Sequence, residues 1–408
     1  MTLPPIRFGD RRTAPHIATL MIVAGLPALS LNIFLPALPA MTAHFDTEYR
    51  VMQLALSVTL GANAVLQLAI GPLSDRFGRR PVLLAAFAAF TLASIGTAVA
   101  PTVEVLLAMR AVQGVGAAGM VLSRAIVRDM VPQAEAASMI GYVTMGMSVA
   151  PMVAPFIGGW VTQSLGWEAN FWFLALAGVA VIALIWADLG ETHPGEGRTF
   201  RDQVAEYPEL FGAPRFWGYV AAALFSSGAF FSYLGGAPYV GSEVFGLAPA
   251  TLGAFFGAPA LGYFAGNFLS GRYSVRVGTN GMMLWGAALT LGGLGTALAI
   301  SAAGMHSPWV FFGFMTTVGL GNGMVLPNAN AGMLSVRPHL AGTASGLGGF
   351  AMIGGGAALS AFAGSLLGGP SGEMPLLVLM TTCSALAVGS ILFVVRRERR
   401  AGTPAAAE

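Results

Sequence analysis

Gly71-Pro-Leu-Ser-Asp75-Arg76-Phe-Gly78-Arg79-Arg80-Pro81 is a short polar interruption between two long apolar runs. The flanking stretches, 52–73 and 81–100, are each close to the ~20 residues that cross a hydrocarbon layer as a helix. Between them lies a glycine-bounded segment with one carboxylate and three guanidiniums, predicted to be a tight turn at a membrane face. Asp75 is positioned to accept from the N-terminus of a neighbouring helix. The arginines Arg76, Arg79 and Arg80 have the planar fork that clamps carboxylates through paired hydrogen bonds. A chain that leaves one apolar run, turns and enters another is a membrane hairpin.

The pattern repeats outward in both directions. Of 408 residues, 55% are hydrophobic and 9% charged, and the mean hydropathy is +0.72, against about 25% charged residues in a soluble domain. This composition argues against a water-soluble enzyme. Twelve helices are predicted, at about 17–40, 52–73, 81–100, 104–125, 137–160, 168–188, 216–240, 250–272, 281–303, 307–329, 341–366 and 374–395. The first follows Arg7, Arg11 and Arg12 without a small-residue cleavage site, so it is expected to be a retained span. An even number of spans puts both termini on one side, and 18 of the 20 arginines fall on that side. The positive-inside rule makes it cytoplasmic.

The stretch 190–215 is the longest polar interval, with Glu191, Glu196, Arg198, Arg201, Asp202, Glu206 and Glu209. It is expected to be a cytoplasmic linker between an N-terminal six-helix bundle, 1–189, and a C-terminal one, 216–408. Leu73-Ser74-Asp75-Arg76 is echoed by Leu269-Ser270-Gly271-Arg272, 196 residues later, at the corresponding loop. The expected fold is therefore all-α, with twelve transmembrane helices in two pseudo-symmetric bundles.

Residue types exclude further functions. There is no lysine, so neither a phosphate-binding P-loop nor a Schiff base is available. The one cysteine, Cys383, makes no internal disulfide, the five histidines are scattered, and no HExxH occurs. No cofactor, metal or enzymatic function is expected. The net charge of +2 carries no indication of nucleic-acid binding.

Within the fourth span, Leu107-Ala-Met-Arg110-Ala-Val-Gln113-Gly114-Val-Gly116-Ala117 places a guanidinium inside the membrane. Such a charge costs several kcal/mol unless paired or hydrated, which makes Arg110 a functional candidate. Arg110 and Gln113 share a helix face, and the small residues after them permit close helix approach. The fifth span carries Gly141, Ala150, Pro151, Ala154, Pro155, Gly158 and Gly159. Two prolines four residues apart remove backbone donors and favour a hinge.

These strings resemble the signatures of the major facilitator superfamily: G-x-L-x-D-R-x-G-R-R at 71–80, L-x-x-x-R-x-x-Q-G-x-G at the fourth span, and a variant of the antiporter motif at the fifth, with Ala150 and Ala154 in two glycine positions. Phe34-Leu-Pro-Ala-Leu-Pro39, Arg124-Ala-Ile-Val-Arg128-Asp129 and Pro338-His-Leu-Ala-Gly342-Thr-Ala-Ser345 narrow the resemblance to the Bcr/CflA branch of drug:proton antiporters. The resemblance implies export of drugs or small amphiphiles across the bacterial inner membrane, antibiotic resistance, proton antiport, alternating access and a monomer.

One position departs from that pattern. The branch often has an aspartate in the first span where this chain has Asn32, which cannot titrate. No carboxylate falls mid-span, and Glu104 and Asp46 are the nearest candidate proton carriers. Asn32, Arg110 and Gln113 are the expected cavity residues. If Arg110 faces the cavity without a carboxylate, neutral or anionic amphiphiles are preferred to cations. Asp129 is expected to pair with Arg79 or Arg80 as part of a cytoplasmic gate, with Asp75 facing the second half. Asn63, Gln67, Asn267, Asn322, Asn328 and Asn330 are either cavity or interhelical polar groups, and Phe225, Phe230, Phe231 and Tyr233 either stack on cargo or pack. Asn32 and the two alanines support an alternative, an uncoupled facilitator or importer of a metabolite. A membrane enzyme or receptor would need a catalytic cluster or a soluble signalling domain, and neither is visible.

Overall fold

The computed structural model describes residues 8–11, 13–131, 133–192, 207–369 and 372–400. Among these, eleven helices are long and apolar enough to span a membrane: α1 Ile17–His44, α2 Tyr49–Phe77, α3 Arg79–Ala98, α4 Val103–Met130, α6 Glu168–Asp188, α7 Pro214–Val244, α8 Pro249–Val277, α9 Thr279–Ala302, α10 Pro308–Val336, α11 Ala341–Ser365 and α12 Met374–Arg400. The twelfth, α5, is Gln133–Leu165. The twelve expected spans are all present, longer at most ends than the apolar runs alone.

Two compact units form. The first comprises α1, α3–α6 and most of α2, and the second comprises α7–α12 together with Thr47–Ser57. In the first unit α1 packs on α4, α5 and α6, and α3 packs on α4 and α6. In the second, α7 packs on α10, α11 and α12, and α9 packs on α10 and α12. These five pairings match when six is added to each helix number. Glycines allow the tightest crossings. In the second unit Gly262 and Gly266 of α8 interlock with Gly319 and Gly323 of α10, where an added Cβ would meet backbone at 1.7–2.6 Å.

The predicted turn at 71–81 is corrected. Leu54–Phe77 is continuous helix and Arg79 already begins α3, so the reversal is made by Gly78 alone. Its φ of +90° is a conformation that only glycine adopts readily. Gly278 makes the same turn in the second unit, with φ +79°. The repeat register is corrected with it. The glycines are 200 residues apart, which aligns Ser74-Asp-Arg76-Phe-Gly78 with Ser274-Val-Arg276-Val-Gly278. The echo read at 196 residues lies one helical turn early.

Of the charged stretch expected as linker, Glu196, Arg198, Arg201, Asp202 and Glu206 fall outside the described residues, as do Arg7 and Arg12. Its ends are placed. Glu191 packs against α3, and Leu210 is buried in the second unit's core.

Candidate gating and transport sites

Arg79 is the centre of a charged lock in the first unit. It is 7% exposed. Its guanidinium pairs with Asp75, donates from Nε to Asp129 Oδ2 at 3.1 Å, and donates from Nη1 to the Ser74 hydroxyl. Helix geometry brings them together, since Asp75 is on the last turn of α2, Arg79 on the first of α3 and Asp129 on the last of α4. The Thr192 hydroxyl also donates to Asp129, at 3.3 Å. Arg76 is exposed and lies over the Phe77 ring.

The acceptor for the α3 N-terminus is Glu191, which corrects the assignment of that task to Asp75. The backbone N–H groups of Arg79 and Arg80 donate to Glu191 Oε1 and Oε2 at 2.9 and 3.2 Å. A carboxylate at this point satisfies two of the helix's free donors and faces the positive end of its dipole. It also explains the packing at Gly78, where a Cβ would meet Glu191 Oε2 at 2.5 Å. Asp188, fully buried, does the same for α1: it accepts from Gly9 N, His16 N and Thr19 Oγ1 at 2.7, 2.9 and 2.5 Å. The sequence signal for both was present, two acids within four residues at the end of an apolar run.

Two broken helices meet deeper in the same unit. α1 consists of Ile17–Asn32, a 3-10 turn Leu35–Ala37 and Leu38–His44, while α4 passes through a 3-10 turn at Gly114–Gly116. Pro36 interrupts the first. In the second, the Thr59 hydroxyl donates to the Arg110 carbonyl at 2.9 Å, and the glycines at 114 and 116 weaken helix propensity beside it. Arg110 is fully buried beneath two rings, 4.1 Å from the Phe34 centroid and 5.8 Å from that of Phe171. Its Nη1 donates to Gln113 Oε1, and Gln113 Nε2 donates to Ser94 Oγ at 2.7 Å. Arg110 and Gln113 thus join α1, α3, α4 and α6. A cation over aromatic faces, out of water, is stabilised by about 2 kcal/mol.

Asn32 ends the first piece of α1. It is 5% exposed, and its Nδ2 donates to Ala28 O at 2.7 Å. Its Oδ1 is buried with no hydrogen-bond partner among the described residues. At the same break Gly158 of α5 approaches so closely that a Cβ would lie 1.6 Å from Ile33 O. Pro155, Gly158 and Gly159 are buried and Pro151 is partly so. The surroundings of Gly141 fall outside the described residues. Gly71 is on α2, and a Cβ there would meet nothing within 4 Å.

The chain matches the Major Facilitator Superfamily over residues 20–361. It belongs to that superfamily. It is 28% identical to the "Bicyclomycin resistance protein homolog" of Haemophilus influenzae over 95% of this chain and 98% of that protein. It is also 28% identical to "Multidrug resistance protein D" of Escherichia coli, over 97% and 99%. The fold resembles that of a D-xylose-proton symporter, with a TM-score of 0.75 at 14% identity over 93% and 96% of the two chains. The Bcr/CflA resemblance stands on the first two, and the chain is a multi-pass membrane protein of a transporter family.

Against the superfamily's motifs, the remaining sequence candidates separate by burial. Glu104 is exposed on the first turn of α4, beside its N-cap Thr102, and Asp46 is exposed in a turn with φ +46°. A further buried carboxylate, outside the sequence candidates, is Glu373, 2% exposed just before α12. It accepts from Ser301 Oγ at 2.6 Å and meets His306 Nδ1 at 2.7 Å. Burial pushes its pKa up, but the hydrogen bonds from Ser301, His306 and its own backbone outweigh this and hold it below the ordinary glutamate value. Asn63 and Gln67 bond to each other, Asn322 to Ser226 and Asn328 to Ser270. Asn267 bonds back to Tyr263 O, and Asn330 is exposed. Tyr233 is fully buried among Phe256, Phe311 and Phe312.

Proposed function

We propose that the protein exports small amphiphilic drugs from the cytoplasm by alternating access, with protons moving inward in exchange. The near full-length similarity to two resistance proteins carries this reading. The bundles are assigned to 1–189 and 216–408 joined by 190–215, with Thr47–Ser57 grouping with the second unit, in a monomer of the bacterial inner membrane with both termini cytoplasmic. Arg79, Asp75 and Asp129 are the charged lock of the cytoplasmic gate, with Gly78 making the turn beside it and Gly71, Arg76 and Arg80 assigned to the same motif. Pro151 and Pro155 give α5 its hinge, Gly158 lets α5 approach α1 closely, and Gly141 and Gly159 are assigned to the same hinge.

Cargo selection follows from the fixed charge. Acids occur only near span ends, whereas Arg110 lies eight residues into a 28-residue span. The interior is therefore biased toward neutral or anionic amphiphiles, with Asn32 Oδ1, Arg110 and Gln113 as the polar groups near the helix breaks. Efflux of a neutral phenicol faster than that of an ethidium-like cation supports the bias, and equal rates contradict it.

Asn32 favours a second reading, an uncoupled facilitator or importer, because an amide carries no proton. Proteoliposomes separate the two. With an inward proton gradient and a pH dye inside, phenicol efflux coupled to internal acidification establishes antiport. Glu104, Asp46 and Glu373 are then neutralised one at a time to find the carrier. Equilibration indifferent to the gradient establishes the facilitator.

A further inference from the structure

The end of the second unit where α12 terminates carries a feature outside the residues assigned to transport. A cleft of about 400 Å³ opens there between the start of α7 and the ends of α10 and α12. Its walls present four guanidiniums, those of Arg215, Arg337, Arg397 and Arg400, around the first residues of α7. Arg215 pairs with Glu398 at 2.5 Å and Arg337 with Glu209 at 2.8 Å. Arg397 and Arg400 make no ion pair among the described residues. Among the described residues, four positive charges therefore face two negative ones, and the imbalance favours an anion.

An apolar groove of about 590 Å³ adjoins the cleft and shares Pro214 with it. It runs between α7 and α12, lined by Phe211, Trp217, Gly218, Leu386, Gly389 and Phe393. Phe211, Leu386 and Phe393 are exposed, at 57%, 46% and 46%. The two compartments are parts of one stripe. On α12 the lining positions 386, 389, 393, 397 and 400 follow one another at three- and four-residue steps, with Ser390 beside Gly389, which is one face of a helix. Along it the chemistry changes from leucine and glycine through phenylalanine to arginine. Phe211 and Trp217 stack at the change-over, with centroids 5.6 Å apart and planes at 19°. Aromatic side chains favour the level where hydrocarbon gives way to headgroups.

We propose that this stripe is a binding site for one anionic phospholipid, its phosphate in the arginine cleft and an acyl chain in the α7–α12 groove. A soluble phosphate would use the cleft and leave the groove empty. A zwitterionic lipid would fill the groove but bring its own cation to the guanidiniums. Only a lipid with net negative charge matches both halves, and basic residues at a membrane surface attract such headgroups.

Two variants test the halves separately. R397Q/R400Q removes the unpaired charge from exposed positions. Gly389→Leu fills the groove, and an added Cβ there meets nothing within 4 Å, so the helix packing is unaffected. The full-length protein in detergent is titrated with phosphatidylglycerol, phosphatidylcholine or inorganic phosphate, and binding is read by native mass spectrometry and by the thermal midpoint. Expected is retention of one phosphatidylglycerol, with a raised midpoint, and no comparable effect of phosphatidylcholine. Each variant is expected to weaken phosphatidylglycerol binding by about tenfold or more. Equal binding of both lipids overturns the proposal. So does a midpoint shift given equally by inorganic phosphate and unaffected by Gly389→Leu, which would make the cleft a soluble-anion site.

Discussion

Gly78 and Gly278, in different units and 200 residues apart, hold the same backbone conformation, with φ and ψ of +90° and 151° in one and +79° and 154° in the other. Each donates its N–H to the carbonyl of the serine four residues earlier, at 2.9 and 2.8 Å. The surroundings differ. A Cβ on Gly78 would strike Glu191, whereas one on Gly278 would meet nothing within 4 Å. Gly278→Ala should therefore cost only the strained dihedral, about 1–3 kcal/mol. Gly78→Ala should cost more, because it also displaces Glu191 from the α3 N-terminus. Thermal unfolding of the two variants in one detergent gives the comparison, and equal losses would show that Glu191 contributes nothing.

Arg79 has two carboxylate partners, so removing one should loosen the lock without emptying it. Asp129→Ala leaves Asp75 and Ser74 on the guanidinium. The expected loss is about 1–3 kcal/mol, less than for a buried ion whose only partner is lost. Hydrogen exchange over residues 71–80 should accelerate and drug efflux should fall. Unchanged exchange together with unchanged efflux would remove Asp129 from the gate.

Glu373 gives a pH dependence with a definite sign. Its pKa is held below the ordinary value, so the unfolded chain binds the proton more readily than the folded one. The stabilisation is complete above the unfolded glutamate pKa of about 4.3 and is lost as the pH falls through the lower folded value. Glu373→Gln should lower the thermal midpoint at pH 7 but approach the parent protein as the pH drops below 4.3. Parallel midpoint curves across that range would contradict the assignment.

Arg110 combines a guanidinium lying over the Phe34 ring with a hydrogen bond to Gln113. Lysine keeps the charge but supplies neither a flat face nor a fork. Arg110→Lys should reduce efflux by at least about tenfold, a loss that double substitution with Gln113→Leu should not deepen much, since the two act as a unit. Full activity in Arg110→Lys would mean that charge alone suffices.

The membrane-spanning character, the number of spans and the superfamily were legible from the residues alone. Apolar run length is set by bilayer thickness, and motifs such as Asp75 with Arg79, or Arg110 with Gln113, are local in sequence. Polar residues at a helix end have the sequence signature of a loop, whereas Leu73–Phe77 stay helical until Gly78 breaks the path. The repeat register is hidden for a similar reason, because side-chain identity is highest at 196 residues while the shared turn geometry lies at 200.

What sequence determined about this protein is what depends on composition and period: twelve apolar helices, an arginine-rich face, an intramembrane guanidinium and an untitratable Asn32. What tertiary structure alone decided is which distant groups meet. Glu191 reaches the N-terminus of α3 across 112 residues, Phe171 covers Arg110, and Ser301 and His306 converge on Glu373. The physical reason is that a carboxylate at a helix end has the same local signature whether it faces water, as Glu104 does, or closes another helix, as Asp188 does. Only packing removes the water and gives it a partner.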